Sequence, residues 1–404
     1  MPRYPVEIGL LVALALFLPL VEAPKNLAWL AYVCVWLWNR ARARDFGGPW
    51  DLWDTLITLW IASGYFVAAF AAFDHAEWKG ASDLARYASV LWLVKRGGYS
   101  WPEVRWVLGA LVASAVAAAA HGWWKYWPQI RAGSGQALQL KSVGHVNHSA
   151  IYLAIVFGLC LAWTFARWRA WSVPRRALGL AVDAFVLVSL VVTASRGAVG
   201  AAALFAMVLA AAWWPRSRAP LVAVLVGLAM TGAAIVGLNV ELWRKQTELV
   251  AANDTLNVRD RIWRTGLAAW QRYPWFGVGM SNYSLIRPEE VARWRAEAGR
   301  PFDAERHVQS AHGHSLYVNA LAERGIVGAG VLFAVLGAWL LWLVRFRPRA
   351  GAADEDWRLW SGAASAWFVT VVAGLGNTTL HHEHGILAVL LLGLWLCRLA
   401  RRAS

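Results

Sequence analysis

The chain has 404 residues, 59% hydrophobic and only 16% charged, with a mean hydropathy of +0.43. A soluble domain is usually about 45–50% apolar, so composition excludes an ordinary soluble fold. The net charge of +15 would suggest nucleic acid in a soluble protein. Here much of it sits in short loops between apolar blocks, which is the pattern of membrane orientation, so no nucleic-acid partner is expected.

A helix needs about 20 apolar residues to cross a bilayer. In chain order the candidate spans are 7–23, 27–38, 52–73, 82–94, 104–120, 149–166, 177–193, 197–214, 219–239, 325–344, 359–375 and 385–397. The expected fold is therefore all-α: a polytopic membrane protein of about twelve spans. A long hydrophilic helical loop follows the ninth. This divides the chain into 1–239 (about nine spans), 240–314 (the loop) and 315–404 (about three spans). Within the loop, helices are expected near 258–271 and 289–298, with Pro274 and Pro301 as breaks. Tryptophans such as Trp36, Trp123, Trp127 and Trp214 fall at block ends, where indole suits the headgroup boundary. Cys34, Cys160 and Cys397 lie in or beside apolar blocks without CxxC spacing, which predicts neither disulfides nor a zinc site.

Starting from an inside N-terminus, the even-numbered connections carry Arg40, Arg42 and Arg44; Lys95 and Arg96; Arg167, Arg169, Arg175 and Arg176; Arg216 and Arg218; and Arg345, Arg347 and Arg349, with Arg398, Arg401 and Arg402 in the tail. Short inside loops are enriched in Lys and Arg, so this orientation is self-consistent. It leaves 74–82, 121–148, 240–314 and 376–384 outside.

Candidate chemistry gathers in those outer regions. Arg196, in Ser195-Arg196-Gly197, is either a headgroup anchor or a fixed cation for phosphate. The planar guanidinium fork suits phosphate because it donates two parallel hydrogen bonds. Asn257 is a plausible N-cap for the helix carrying Arg259, Arg261 and Arg264. Cations in a helix's first turn oppose its dipole, a conflict that a bound polyanion would resolve. A solvated basic face is the alternative. His312 and His314 stand at i, i+2. That spacing is weak for a metal, but an imidazole at the boundary suits a general base. Gly144-His145-Val146-Asn147-His148 enters a span from outside, where His145, Asn147 and His148 would line a polar mouth. His381-His382-Glu383-His384 looks metallic but shows no distant partner, so no metal is assigned. Asp354-Glu355-Asp356 reads as a solvated acidic stretch, and Asp74 with Glu77 is the more serious metal candidate.

Taken in order, these residues resemble the O-antigen ligase and polymerase superfamily, the Wzy_C family. The resemblance rests on Ser195-Arg196-Gly197-Ala198, Arg259 four residues before Trp263, Pro274-Trp275-Phe276-Gly277-Val278-Gly279, His314-Ser315-Leu316-Tyr317-Val318 and Glu323-Arg324-Gly325-Ile326-Val327-Gly328. It covers roughly residues 180–345, with Ser315 where Asn is commoner and Val318 for Leu. The resemblance implies a GT-C-like glycosyltransferase in the bacterial inner membrane with its active site facing the periplasm. The implied donor is an undecaprenyl-pyrophosphate-linked glycan and the acceptor lipid A–core, among membrane lipids, with no cofactor. His314 would be the base and Arg196 and Arg259 the phosphate clamp. Arg261, Arg264, His312, His145, Asn147 and Tyr317 would bind substrate. A polymerase or protein O-oligosaccharyltransferase of the same superfamily is the near alternative. A lipid-linked glycan flippase is the alternative of another class, and it would favour charges near the midplane.

Overall fold

The computed structural model describes residues 4–132, 137–214 and 258–403, together with positions 227, 247 and 248. The described residues form thirteen α-helices and two short 3-10 turns, with no strand among them. The expected ninth span, 219–239, the basic residues Arg216 and Arg218, and the N-cap Asn257 lie outside the described residues.

Helices α1 (Pro5–Phe17), α2 (Glu22–Ala43), α3 (Leu52–Ala69), α4 (Glu77–Lys95), α5 (Trp101–Arg131), α6 (Val146–Arg167), α7 (Val173–Val192) and α8 (Arg196–Trp213) match the first eight expected spans. Two helices follow in the hydrophilic loop, α9 (Arg259–Arg272) and α10 (Pro288–Glu297). The chain ends in α11 (Leu316–Arg345), α12 (Asp354–Ala373) and α13 (His382–Ala403). Among the described residues, α3, α5, α6, α8, α11 and α13 are long and apolar enough to cross a membrane. Most helices extend past the expected ends because turns of charged residues continue them. The second expected span, 27–38, sits inside the 22-residue α2.

Helix α6 is the hub. It packs on α7, α8, α12 and α13, and the run from Ser149 to Ala162 is buried on every side. Outward-facing Leu27, Trp38, Trp106 and Trp124 are exposed, as lipid-facing side chains are in a membrane protein.

The basic loops converge on one end. Asp54 accepts hydrogen bonds from Trp92 Nε1 (2.9 Å), Lys95 Nζ (2.9 Å) and Arg96 Nε (2.7 Å), which ties α3 to the end of α4. A cavity there is lined by Lys95, Arg345, Arg347, Arg349 and Arg402. Asp354-Glu355-Asp356 is not simply solvated, as the sequence suggested. Asp356 is buried and pairs with Arg398 (3.0 Å) and Arg402, and Glu355 also meets Arg398 (3.0 Å). Carboxylates starting α12 thus neutralise arginines that end α13.

At the opposite end, α9 and α10 have a small core of their own, built from Ile262, Ala269, Tyr283, Ile286, Val291 and Trp294. Three devices lock this module to the bundle. First, α11 breaks at Gly325 (φ 57°, ψ −163°), and the segment 274–279 inserts its backbone into the break. Val278 N donates to Ala322 O (2.9 Å), Gly279 N to Glu323 O (3.0 Å) and Ile326 N to Pro274 O (2.8 Å). A Cβ on Gly325 would lie 2.3 Å from Trp275 C, and one on Gly277 would lie 2.4 Å from Ala322 O. The glycines of both motifs therefore serve close backbone approach at positive φ. Second, buried Asn282 donates to Phe73 O (3.0 Å) and Glu77 Oε2 (3.0 Å) and accepts from Ala76 N (2.9 Å). Third, Glu323, 7% exposed, accepts from Tyr283 N (3.3 Å) and Asn319 Nδ2 (2.8 Å).

Candidate active site

The site forms where four elements meet: the starts of α6, α8 and α9 and the turn into α11. Ser195 precedes α8, and its Oγ donates to Asn147 Oδ1 at 3.0 Å. This fixes the start of α8 against the start of α6. His145 caps α6, its Nδ1 accepting from Asn147 N at 3.2 Å. Arg196 is thereby held half-buried as the first residue of α8.

Helix α9 begins at Arg259, after Val258 in the left-handed region (φ 57°). Of its three candidate arginines, Arg259 is half-buried and Arg261 and Arg264 are exposed. The 3.6-residue turn accounts for the split, because the face that buries Ile262 against the module core turns Arg261 and Arg264 to solvent. Arg259 faces Arg196: burial first, then that second cation, push its pKa below the usual arginine value. No described carboxylate lies within ion-pairing distance of Arg259. Two like charges held this close repel, and an anion between them would relieve that repulsion.

His314 sits at the turn into α11 with φ 44°, a conformation that histidine adopts more readily than most residues. Ser315 caps the helix behind it, accepting from Val318 N. Trp263 Nε1 of α9 donates to His314 O at 3.4 Å, and Asn319 Oδ1 accepts from Gly313 N at 2.8 Å. Both neighbours of His314 are thus fixed. Burial, followed by the charges of His312, Arg259 and His145, lowers its imidazole to about 4. Burial, His145 and His382 likewise lower His312. The two rings touch, with centroids 4.3 Å apart.

Two expected members behave differently. The Tyr317 hydroxyl donates to Val371 O at 2.9 Å, pointing toward α12. Glu77 is buried and already accepts from His75 N (2.8 Å) and Asn282 Nδ2 (3.0 Å), so it acts as a latch for the module.

The structure adds Gly376 and Asn377, which sequence reasoning did not single out, and gives His148 of the polar entrance contacts it did not foresee. Between α12 and α13, Gly376 lies beside Arg259 and Asn377 beside Gly197, the residue after Arg196. A Cβ on Gly376 would lie 3.8 Å from Arg259 Nη1, and one on Gly197 would lie 3.2 Å from Asn377 Nδ2. Asn377 is 3% exposed, and its Oδ1 has no partner among the described residues. His148 contacts both the His312 side and the group His381, His382 and His384. His145 and His148, three apart on one helix face, are the only spacing that hinted at this.

An all-helical bundle of apolar helices, with a hydrophilic module over the end where Arg196, Arg259 and His314 come together, is the architecture of a multi-pass membrane protein. Residues 181–333 match the family model described as O-antigen ligase, Wzy_C. The match supports membership of the O-antigen ligase superfamily, a group of glycosyltransferase-like membrane enzymes. The matched segment runs from within α7 to within α11 and includes Arg196, Arg259, His314 and the Gly325 lock. No curated protein matches the chain.

Proposed function

We propose that this protein ligates O-antigen glycan from undecaprenyl pyrophosphate onto lipid A–core at the periplasmic face of the inner membrane. The observation that carries the reading is the meeting of Arg196, Arg259 and His314 at the end of the bundle opposite the basic loops. That end is periplasmic if short basic loops stay inside.

The donor already carries a good leaving group, so the protein's first task is to stabilise charge. Arg196 and Arg259 are aimed where the leaving pyrophosphate oxygens develop it. The acceptor hydroxyl is a poor nucleophile. His314, neutral in the unliganded site, accepts its proton as the oxygen bonds to the anomeric carbon. The bond from that carbon to the pyrophosphate oxygen breaks in the same displacement, and undecaprenyl pyrophosphate leaves. Such a single displacement inverts the anomeric centre. General-base catalysis of this kind contributes about 10²–10⁴-fold. The protonated imidazole then sits beside the released anion.

The test is reconstitution of the protein in liposomes with purified undecaprenyl-pyrophosphate glycan and lipid A–core. The expected result is a ligated product of inverted anomeric configuration, lost in a normally melting His314→Ala variant. Glycan lengthening without attachment to lipid A–core would replace this reading with a polymerase. Transfer unaffected by His314→Ala would remove the proposed base.

A further inference from the structure

Seven of the ten histidines in this chain gather at one place: His145, His148, His312, His314, His381, His382 and His384. The proposed chemistry uses His314 and leaves the far half of the cluster unexplained. We propose that His148, His381 and His382 bind a transition-metal ion of the zinc class, joining the start of α6 to the turn into α13.

The geometry is specific. One ring nitrogen from each of the three lies within 4.8 Å of the others. The ring centroids of His148 stand 4.7 Å from His381 and 4.8 Å from His382, with 4.3 Å between the latter two. Adjacent residues normally point apart. Here Leu380 (φ 62°) and His382 (φ 50°) adopt left-handed conformations that fold both rings toward His148. Imidazole nitrogens on a tetrahedral ion, about 2.0–2.1 Å from it, stand about 3.4 Å apart. Closing the observed spacing takes a side-chain movement of about 1 Å.

The surroundings are also those of a metal site. His381 Nε2 lies 2.8 Å from Thr378 O. A carbonyl only accepts, so Nε2 carries the proton and Nδ1 keeps its lone pair. A ligand histidine donating its other N–H to a backbone carbonyl is the usual outer support of such a site. His384 is 1% exposed, and neither ring nitrogen has a partner among the described residues. Its centroid lies 5.3 Å from His148 and 5.0 Å from His381. A buried, unpartnered imidazole needs an explanation, and a fourth nitrogen donor to the ion supplies one. Glu383 turns away and pairs with buried Lys25. The donors are therefore imidazoles, which suit Zn²⁺, Cu²⁺ or Ni²⁺, whereas Mg²⁺ and Ca²⁺ prefer oxygen. His381 and His382 line a cavity of about 240 Å³ that gives an ion access.

His148, His381 and His382 all lie outside the segment 181–333 that carries the family match. The proposal does not rest on the proposed function, and glycan transfer is not routed through the ion. The ion would hold the wall formed by His312, whose centroid is 6.2 Å from that of His148 and which in turn touches His314.

The experiment uses full-length protein in detergent, purified without a polyhistidine tag and stripped with EDTA. Co²⁺ is the probe, read by its visible ligand-field absorption, with Zn²⁺ as competitor. The expected result is one Co²⁺ per chain, displaced by Zn²⁺, and a Zn²⁺-dependent rise in the melting midpoint. His148→Ala and the exposed His382→Ala should each weaken Co²⁺ binding by at least about 100-fold, while His75→Ala and His121→Ala leave it unchanged. Melting of each metal-free variant at the wild-type temperature shows that the loss is local. Absence of a Co²⁺ spectrum in the wild-type protein would overturn the site. So would a spectrum that survives the double variant His148→Ala, His382→Ala. Both readouts need no glycan substrate, so their failure is distinct from failure of the transfer assay.

Discussion

Replacing Gly325 by alanine probes the break in α11 that seats the outer module. Gly325 has φ 57° and ψ −163°, a region essentially reserved for glycine, where another residue costs about 1–3 kcal/mol. The added Cβ would also lie 2.3 Å from Trp275 C and O and 2.5 Å from Phe276 N. These are backbone atoms, which cannot rotate away. To relieve the overlap the segment 274–279 must leave the break, losing the bonds from Val278 N, Gly279 N, Ile326 N and Val327 N. Each is worth about 0.5–1.5 kcal/mol net. Together the two effects loosen the module by roughly 3–9 kcal/mol. The matched control is Gly330→Ala in the same helix, where a Cβ meets nothing within 4 Å and alanine gains up to about 1 kcal/mol of helix propensity. The assay is limited proteolysis of the outer module in detergent, beside melting of the whole protein. Gly325→Ala is expected to be cleaved many times faster between α9 and α11, with Gly330→Ala as resistant as wild type. Equal resistance of the two variants would show that the inserted backbone is not what seats the module.

Three further outcomes are expected. Arg259→Lys keeps the charge and loses the bidentate fork, so kcat/KM for the lipid-linked donor should fall about 10–100-fold, while exposed Arg261→Lys changes it less than about threefold; equal effects would remove the distinction drawn from burial. Because burial, His312, Arg259 and His145 hold His314 near 4 in the free protein, kcat/KM should show no acid limb above about pH 5; a limb centred near 6.5 would refute that environment. A single cysteine at Ser284, in a background without Cys34, Cys160 and Cys397, should react with an impermeant maleimide in intact cells, while one at Ala350 should react only after lysis; the reverse would put the site in the cytoplasm.

The helical architecture could be read from sequence because each apolar block is a local signal. Eleven of the twelve expected spans coincide with described helices, and the ninth falls outside the described residues. The loop helices were also legible, since Pro274 and Pro301 bracket them and their amphipathic faces repeat within a few turns. What could not be read was convergence. His148 and His381 belong to different helix starts, and nothing in their local sequence says that α6 and α13 pack side by side. His381-His382-Glu383-His384 therefore looked like a motif without a partner. The meaning of the glycines was hidden for the same reason. Pro274–Gly279 and Glu323–Gly328 are separate motifs in sequence and a single interlocked joint in space. The spacing to Trp263 favours Arg259 over Arg261 and Arg264; the helix phase, set by the buried Ile262 and Ala269, adds that Arg259 is half-buried and the other two exposed.

The electrostatics of the site bear on when it becomes reactive. An imidazole held near 4 is neutral at physiological pH yet a weak base, because base strength falls with pKa. Burial and the Arg259 charge both disfavour its protonated form. A pyrophosphate lodged between Arg196 and Arg259 would reverse the second of these influences by cancelling the arginine's field. It would add an attraction of its own for the protonated ring. The imidazole would then be raised toward the working pH only while the donor is bound. On this reasoning the donor activates the base that will consume it, and an acceptor reaching the site first finds a histidine too weak to take its proton. The same charges account for the paired arginines. Arg196 and Arg259 repel one another, and an anion with oxygens in reach of both would relieve that cost.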